Sequence, residues 1–204
     1  MLLDTARLAD KFKYRVICGP TGSGKTRLLT SLATAGAQTL DLAALAEHRS
    51  SVLGLIPGQP QPSQKQFDTR VWNALRGFDP TRVVWAESES KKVGNVSVPD
   101  ALMAALRASR CARLELPIDE RVQLLMEDYD FFVKDPAFFC QRLDVLKDLR
   151  GKAVIDDWKA RVHAGKVEGV VRELLELHYD PGYATSTRRN YQQFDASYLI
   201  AAGD

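Results

Sequence analysis

The feature that most constrains this chain of 204 residues is a glycine-rich stretch close to its first residue. Residues 19–26 read Gly-Pro-Thr-Gly-Ser-Gly-Lys-Thr and match the pattern G-x-x-x-x-G-K-[ST] at every fixed position. An apolar run over residues 14–18 precedes the stretch and predicts a strand, and leucines at helical spacing follow it. A strand, a glycine-rich loop and a helix in this order predict a phosphate-binding P-loop.

The polar groups of this loop suit a pyrophosphate or polyphosphate ligand. Gly22 and Gly24 permit positive φ angles, which turn backbone N–H groups towards phosphate oxygens, and the start of the helix adds the positive end of its dipole. Lys25 supplies a positive charge, and the Thr26 hydroxyl is a suitable ligand for Mg²⁺. We therefore predict Mg²⁺ as a cofactor and a ligand site formed by Gly19, Gly22, Ser23, Gly24, Lys25 and Thr26.

Strand and helix patterns alternate after the P-loop. Apolar runs predict further strands at 38–41, 82–86 and 111–116, the first of which leads into an Ala-rich and Leu-rich stretch at 42–46. Helical spacing predicts helices at 67–75, 100–107 and 118–133. This alternation predicts an α/β fold of the P-loop NTPase type, with a mainly parallel sheet flanked by helices. Two segments broken by glycine, proline or charge, 50–66 and 87–99, predict loops on the ligand side.

The pattern changes after residue 135. Residues 136–177 are helical in pattern throughout, and the tail that follows them is polar and aromatic. We therefore predict a P-loop α/β domain over residues 1–135, and a C-terminal helical extension with the tail over residues 136–204.

An acidic residue for the metal is expected at the end of a strand beside the first one. Glu87 ends the run at 82–86, although the usual residue at this position is Asp, and Glu89 follows two residues later. Either carboxylate can orient a metal-bound water or act as a base. We therefore name Lys25, Glu87 and Glu89 as candidate catalytic residues, and Thr26 and Glu87 as metal ligands; a solvated strand end is the alternative for the acids.

Composition restricts the class of protein further. The 28 Lys and Arg against 26 Asp and Glu give a net charge of +2, so a surface for nucleic acid must be local. The three cysteines lie far apart, which argues against a disulfide framework or a zinc site and favours a reducing cytoplasm. No run of about 18 apolar residues and no signal peptide are seen, so we expect no membrane contact.

Four further stretches carry a family resemblance. They read His48-Arg49-Ser50-Ser51-Val52-Leu53-Gly54, Gln61-Pro62-Ser63-Gln64-Lys65, the run from Trp85 to Gly94, and His178-Tyr179-Asp180-Pro181. Together with the P-loop, they resemble the bacterial tRNA 2-selenouridine synthases, and the combination is far more specific than a P-loop alone. The resemblance implies a transferase that converts wobble 2-thiouridine in tRNA to 2-selenouridine, through an S-geranylated intermediate made from geranyl diphosphate and then selenophosphate.

The chain departs from this family in two respects. A rhodanese-like domain with a selenium-handling cysteine normally precedes the P-loop, yet only 18 residues precede Gly19. The resemblance therefore implies that a rhodanese-like partner acts in trans or was removed from the chain, and that selenophosphate is used only through it. Ser50 stands where glycine is expected, and we assign no cysteine as catalytic.

The same stretches supply candidate contacts to substrate. Arg49 follows the second strand and is a candidate phosphate ligand, and aromatic and cationic residues alternate near the end of the chain, as in surfaces that stack bases and hold RNA phosphates. For each stretch a plainer role is the alternative, such as helix capping by Ser63, a solvated charged loop or a disordered tail. The candidate substrate-binding residues are His48, Gln61, Ser63, Gln64, Lys65, Ser90, Lys91, Tyr179, Tyr183 and Arg188.

Competing functions remain open from the sequence. P-loop chemistry suits geranyl diphosphate, ATP and GTP alike, so an ATP-dependent small-molecule kinase or ATPase is the alternative. Pro117-Ile118-Asp119-Glu120-Arg121 resembles the segment that leads to an arginine-bearing lid in small kinases, but no dense arginine lid follows. A third reading is a binding module that is inert until a rhodanese-like partner docks.

Overall fold

The computed structural model describes residues 7–49, 54–56 and 58–201. The strands are β1 (Tyr14–Cys18), β2 (Gln38–Leu40), β3 (Val84–Glu87), β4 (Lys92–Val93), β5 (Val96–Ser97), β6 (Arg110–Glu115) and β7 (Gln193–Ala201). The α-helices are α1 (Lys25–Thr34), α2 (Leu42–Leu45), α3 (Gln64–Arg76), α4 (Asp100–Ala108), α5 (Ile118–Asp128), α6 (Asp130–Lys134), α7 (Pro136–Leu143), α8 (Lys147–Arg150), α9 (Lys152–His163), α10 (Val167–Leu174) and α11 (Asp180–Asn190). The structure also has a 3₁₀ turn, Asp144–Leu146, and a π turn, Leu175–Tyr179.

The chain divides into two compact units. Unit 1 comprises residues 1–19, 24–115 and 184–204, and unit 2 comprises residues 20–23 and 116–183. The predicted boundary at residue 135 differs from this division, because the chain leaves the sheet after β6 and returns to it with β7.

Unit 1 is built on a five-stranded sheet in the order β2-β3-β1-β6-β7, and all its pairings are parallel. The central strand β1 is almost continuously apolar, as expected for a parallel strand that is covered by helices on its faces. Ile17 in β1, Leu29 in α1 and Leu114 in β6 form one buried cluster. The predicted mainly parallel α/β fold is therefore confirmed, and the ends of β1 and β3 lie side by side with Ile17 opposite Glu87.

The polar tail forms α11 and the edge strand β7, where no element is predicted. Residues 198–201 of β7 pair with β6, and Ile200 packs against the buried cluster of Ile17, Leu29 and Leu114. Tyr198 and Leu199 are exposed, 47% and 52% respectively, because an edge strand needs only a part of its side chains in the core. This partial burial removes the apolar pattern by which the other strands are recognised.

Unit 2 is helical. Trp158 is fully buried, and its indole N–H donates to the Glu173 carboxylate at 2.8 Å. Phe139, Leu143 and Leu146 are buried with 1% exposure or less. The prediction of a single helix over 118–133 is wrong, because this segment forms the two helices α5 and α6.

The break in that helix falls at Tyr129, which has φ −116° and ψ 35° and separates α5 from α6. The Tyr129 ring stacks on Phe132 at 5.5 Å between centroids. Among the described residues, no helix is long and apolar enough to cross a membrane.

Candidate active site

The P-loop has the backbone that its glycines predict. Gly22 and Gly24 have φ angles of 79° and 84°, and α1 begins directly after Gly24. A side chain is strained at these φ angles, so glycine is required at both positions. Ser23, between them, is 1% exposed, and its hydroxyl oxygen has no hydrogen-bond partner within the described chain. Such a hydroxyl can bind a ligand without breaking an internal hydrogen bond.

Lys25 and Thr26, at the start of α1, supply the charge and the hydroxyl of the site. The Lys25 ammonium group donates to the Gly19 carbonyl oxygen at 2.7 Å. The Thr26 hydroxyl hydrogen-bonds to the Glu87 carboxylate. A lysine and a hydroxyl therefore lie at the carboxyl end of β1, where parallel α/β sheets bind ligands.

Glu87 is the acidic partner of this cluster. It ends β3, is 5% exposed, and its Oε1 atom has no hydrogen-bond partner within the described residues. Burial raises the pKa of the Glu87 carboxyl, the charge of Lys25 and the Thr26 hydrogen bond oppose this rise, and Asp41 adds to it. A buried carboxylate oxygen without a partner, next to a threonine hydroxyl, fits a hard cation such as Mg²⁺.

Glu89 lies two residues further along the same loop and is 7% exposed. Its backbone carbonyl accepts a hydrogen bond from the Tyr191 hydroxyl at 3.0 Å. Burial, together with the nearby Cys18 and Glu89, raises the pKa of Tyr191, so this hydroxyl stays a donor at neutral pH. Tyr191 therefore fixes the loop after β3, and a catalytic role for Glu89 stays a prediction.

The described ends of the His48 stretch pair with each other in unit 1. The Arg49 N–H donates to the Gly54 carbonyl at 2.8 Å, and His48 forms an antiparallel bridge with Leu55. A Cβ atom on Gly54 would lie 1.8 Å from the Arg49 carbonyl oxygen, so only glycine fits. Residues 50–53, including Ser50, lie outside the described residues; ligand binding by His48 and Arg49 stays a prediction.

Gln61 organises a hairpin that the sequence prediction missed. Strands β4 and β5 pair in an antiparallel manner inside the segment predicted as a loop, and Gly94 in their turn has φ 60°. The Gln61 side-chain N–H₂ donates to the carbonyls of Ala46 at 3.0 Å and Val93 at 3.2 Å, and its oxygen accepts from the Asn95 N–H at 2.8 Å. The Gly94-Asn95 pair is a known turn signal between short apolar strands and could have revealed this hairpin.

Gln64 holds the second strand of the same hairpin. Its side chain donates to the Ser97 carbonyl at 2.9 Å and accepts from the Ser97 N–H at 2.8 Å. Ser63 and Gln66 form a capping box at the start of α3, which is the plainer role considered for Ser63. Lys65 is exposed. The amides of Gln61 and Gln64 therefore hold the β4–β5 hairpin, and Ser63 caps α3. Contact of these residues and of Lys65 with substrate stays a prediction.

Ser90 and Lys91 also bind within their own loop. The Ser90 hydroxyl donates to the Lys92 carbonyl, and the Lys91 ammonium donates to the Val98 carbonyl and pairs with the Asp100 carboxylate. These contacts join the residues that follow β3 to the start of α4. The structure thus shows an internally bonded loop, and binding of substrate by Ser90 and Lys91 stays a prediction.

Unit 2 contains two functional candidates that the sequence prediction missed. The Arg121 guanidinium donates to the Thr21 carbonyl from Nε at 2.9 Å and from Nη2 at 2.8 Å. It also donates to both carboxylate oxygens of Asp180, at 2.9 and 2.6 Å. Asp180 belongs to the stretch that begins at His178, but no sequence pattern joins it to an arginine 59 residues away.

The neighbours of Asp180 lie around the π turn. The His178 ring packs edge-on against Tyr179 at 4.8 Å between centroids, and its Nδ1 lies 3.3 Å from an Arg150 nitrogen. Burial and the charge of Arg150 lower the pKa of His178, so the neutral imidazole is favoured. Tyr183 is half-buried, whereas Arg188 is exposed and pairs with Asp195 at 3.0 Å. Contact of Tyr179, Tyr183 and Arg188 with RNA stays a prediction.

Comparison with known proteins identifies relatives of this site. A family model described as the tRNA 2-selenouridine synthase AAA domain matches residues 12–143. The tRNA 2-selenouridine synthase of Nitrosomonas europaea is 37% identical over 126 residues, which cover 60% of this chain and 32% of that protein. The enzyme of the same name from Aeromonas salmonicida is 31% identical over 143 residues, covering 68% of this chain and 37% of that protein.

The chain spans about a third of the length of the curated relatives it matches. Among solved structures, shikimate kinase from Acinetobacter baumannii in complex with shikimate aligns with 98% of this chain and 88% of its own, at 16% identity and a TM-score of 0.40.

Proposed function

Since this chain belongs to the tRNA 2-selenouridine synthase AAA domain family, we propose that it binds tRNA and geranyl diphosphate and transfers the geranyl group to wobble 2-thiouridine ahead of selenation. The observation that carries the proposal is a family match that includes the whole P-loop and the strand that ends in Glu87. The chain is then a transferase acting on tRNA.

The transfer requires the protein mainly to stabilise negative charge and to position the two substrates. The 2-thiouridine sulfur attacks C1 of the geranyl group, the C1–O bond breaks, and the diphosphate leaves with the electron pair while the base loses its N3 proton. Lys25 and the backbone N–H groups of the P-loop stabilise the negative charge that develops on the diphosphate. Holding sulfur and C1 in contact supplies most of the remaining acceleration.

Thr26 and Glu87 are the residues that hold Mg²⁺ in this proposal. Their mutual hydrogen bond and the buried Oε1 atom of Glu87 support this assignment. When bound, Mg²⁺ neutralises charge on the diphosphate oxygens. Glu89, buried two residues away, is the candidate for accepting the N3 proton.

The tRNA contacts come from exposed cations of unit 1 and from aromatic residues near the end of the chain. Lys65 at the start of α3 and Arg188 in α11 are exposed. Tyr179 and Tyr183 are half-buried and can stack on unpaired bases. Selenophosphate enters only through a rhodanese-like domain that works with this chain. The reaction belongs to the cytoplasm, in keeping with free, buried Cys18, Cys111 and Cys140.

A transfer assay tests the proposal. The chain is incubated with Mg²⁺, geranyl diphosphate and a tRNA that carries 2-thiouridine, and the mass of the modified nucleoside is measured with and without a rhodanese-like domain. We expect geranylated nucleoside from the wild type and none from Lys25→Ala. Arg172→Gln is the matched control, because Arg172 forms a solvent-facing ion pair with Asp119 outside the P-loop.

The outcomes separate the alternatives. Geranylation by the chain alone supports a complete transfer site, and geranylation only with the added domain supports a module that needs its partner. Phosphate transfer from ATP without geranylation would favour a small-molecule kinase or ATPase and contradict the proposal.

A further inference from the structure

One arginine hydrogen-bonds both to the P-loop and to the stretch at residues 178–181. Arg121, in the first turns of α5, donates to the Thr21 carbonyl with two nitrogens and to the Asp180 carboxylate with two, all at 2.6–2.9 Å. All of these residues belong to unit 2. None of these hydrogen bonds involves Lys25, Thr26 or Glu87.

Arg121 and Asp180 form a geometrically specific pair in which the arginine is buried. The side chains are 7% and 33% exposed, respectively. A bidentate arginine–carboxylate pair is stronger and more directional than a single ion pair. Because the Arg121 side chain is buried, removing the charge of Asp180 leaves the guanidinium without its counter-charge. Asp180 therefore fixes where Arg121 can place its remaining N–H groups.

The position of the Thr21 carbonyl decides the direction of the next amide. In a trans peptide the C=O and the following N–H point in opposite directions, and no described peptide bond is cis. When Arg121 holds the Thr21 oxygen, the Gly22 N–H must therefore point away from Arg121. A reversed peptide would present an oxygen where the loop needs a donor for an anion.

The backbone of Gly22 by itself leaves the Thr21–Gly22 peptide free to rotate. Its φ of 79° lies in a region where glycine moves readily, so its own backbone does not prevent rotation of the preceding peptide. A Cβ atom at Gly22 would lie 2.9 Å from the Arg121 carbonyl oxygen and 3.0 Å from the Leu125 side chain. The same helix, α5, therefore requires glycine here and supplies the arginine that holds the peptide in place.

We propose that Arg121 and Asp180 are positioning residues that hold the Thr21–Gly22 peptide in the orientation that binds the pyrophosphate group of the ligand. The proposal rests on the proposed function, since it assumes that the loop binds pyrophosphate. It also gives the Asp180 stretch a role at the P-loop, although its residues lie far from that loop in sequence.

Binding of inorganic pyrophosphate with Mg²⁺ provides the first test. Asp180→Asn keeps the size of the side chain and removes its charge, and Arg121→Lys cannot donate in two directions from a planar fork. We expect each variant to raise the Kd for pyrophosphate by about tenfold. This is the change that results when only about a tenth of the molecules have the binding-competent peptide orientation. Arg172→Gln, which breaks the ion pair with Asp119 in the same unit, should leave the Kd unchanged.

The Gly22 amide provides a second test that needs no ligand. In ¹⁵N spectra of the free protein, we expect one sharp Gly22 signal for the wild type and the Arg172→Gln control. Exchange broadening or a second signal is expected for Asp180→Asn. General loss of stability would instead change amide signals throughout unit 2. If one variant does not fold, as judged by far-UV circular dichroism, the other serves for both measurements.

The proposal is overturned if folded Asp180→Asn or Arg121→Lys binds pyrophosphate like the wild type and shows an unchanged Gly22 signal. Failure of the proposed function gives a different result, because the wild type would then not bind pyrophosphate at all. In that case the Gly22 signal of the variants still decides whether Arg121 and Asp180 hold the peptide.

Discussion

Replacing Glu87 by glutamine is expected to stabilise the ligand-free protein and to weaken its Mg²⁺-dependent binding. The carboxylate is 5% exposed, Oε1 has no hydrogen-bond partner within the described chain, and burial raises its pKa above the ordinary value of 4.5. Folding therefore shifts the Glu87 carboxyl towards its neutral form, which glutamine imitates while retaining a group for Thr26 to bind.

The magnitude follows from the buried negative charge that glutamine removes, since the desolvation of a buried polar group costs about 1–3 kcal/mol and that of a charged group costs more. Recovery of about 1 kcal/mol raises the melting temperature of a chain of this size by about 2–4 °C. Because the folded pKa is raised, the stability linked to protonated Glu87 is fully present below the ordinary pKa and is lost as the pH rises through the folded pKa. The advantage of Glu87→Gln should therefore be small near pH 4 and grow towards neutral pH.

Thermal unfolding by differential scanning calorimetry between pH 4 and pH 8 measures this effect. Glu115→Gln is the control, since Glu115 also ends a strand of the sheet but its side chain is 57% exposed and pairs with Arg113. With Mg²⁺ and pyrophosphate present, the wild type should have the higher melting temperature, because only the wild type retains the carboxylate for the ion. A melting temperature for Glu87→Gln that is below that of the wild type at neutral pH without ligand would show that the buried carboxylate does not destabilise the folded protein.

Three further predictions concern the loop, the fold and the RNA surface. Lys25→Ala should abolish detectable pyrophosphate binding in calorimetry and leave the far-UV circular dichroism unchanged; unaltered affinity would contradict its role. Gly54→Ala should lower the free energy of unfolding in urea by about 3 kcal/mol, because a Cβ would lie 1.8 Å from a backbone oxygen. Gly77→Ala, with φ −84° and its nearest neighbour at 3.5 Å, should instead raise this free energy by about 0.4–1 kcal/mol. Arg188→Ala should weaken tRNA binding and reduce the slope of log K against log salt by about one, and an unchanged slope would remove Arg188 from the interface.

The sequence predicts the parts of the site that depend on local pattern. The P-loop is readable because its glycines, lysine and threonine follow an apolar strand, and the structure places Gly24 at φ 84° directly before α1. Glu87 was predicted from its place at a strand end, and it lies beside Thr26 because β3 pairs with β1. Parallel pairing of neighbouring strands brings such ends together, so a one-dimensional pattern was sufficient.

The parts that escaped prediction depend on distant contacts or weak patterns. Arg121 meets Thr21 across 100 residues and Asp180 across 59, and a lone arginine in a helix carries no sign of its partners. The polarity of Gln61 predicts contact with substrate, whereas its amide hydrogen-bonds to two backbone groups of the β4–β5 hairpin and to the Ala46 carbonyl. Strand β7 was missed because an edge strand with exposed apolar residues lacks the continuous burial of β1.

Calorimetric titration of the chain with geranyl diphosphate and Mg²⁺, before and after addition of tRNA that carries 2-thiouridine, tests directly whether the P-loop binds the donor of a geranyl transfer to tRNA. We expect geranyl diphosphate to bind through Lys25 and tRNA to strengthen this binding. A parallel titration with ATP provides the comparison. Binding of ATP that tRNA does not change, with no binding of geranyl diphosphate, would contradict the proposed geranyl transfer.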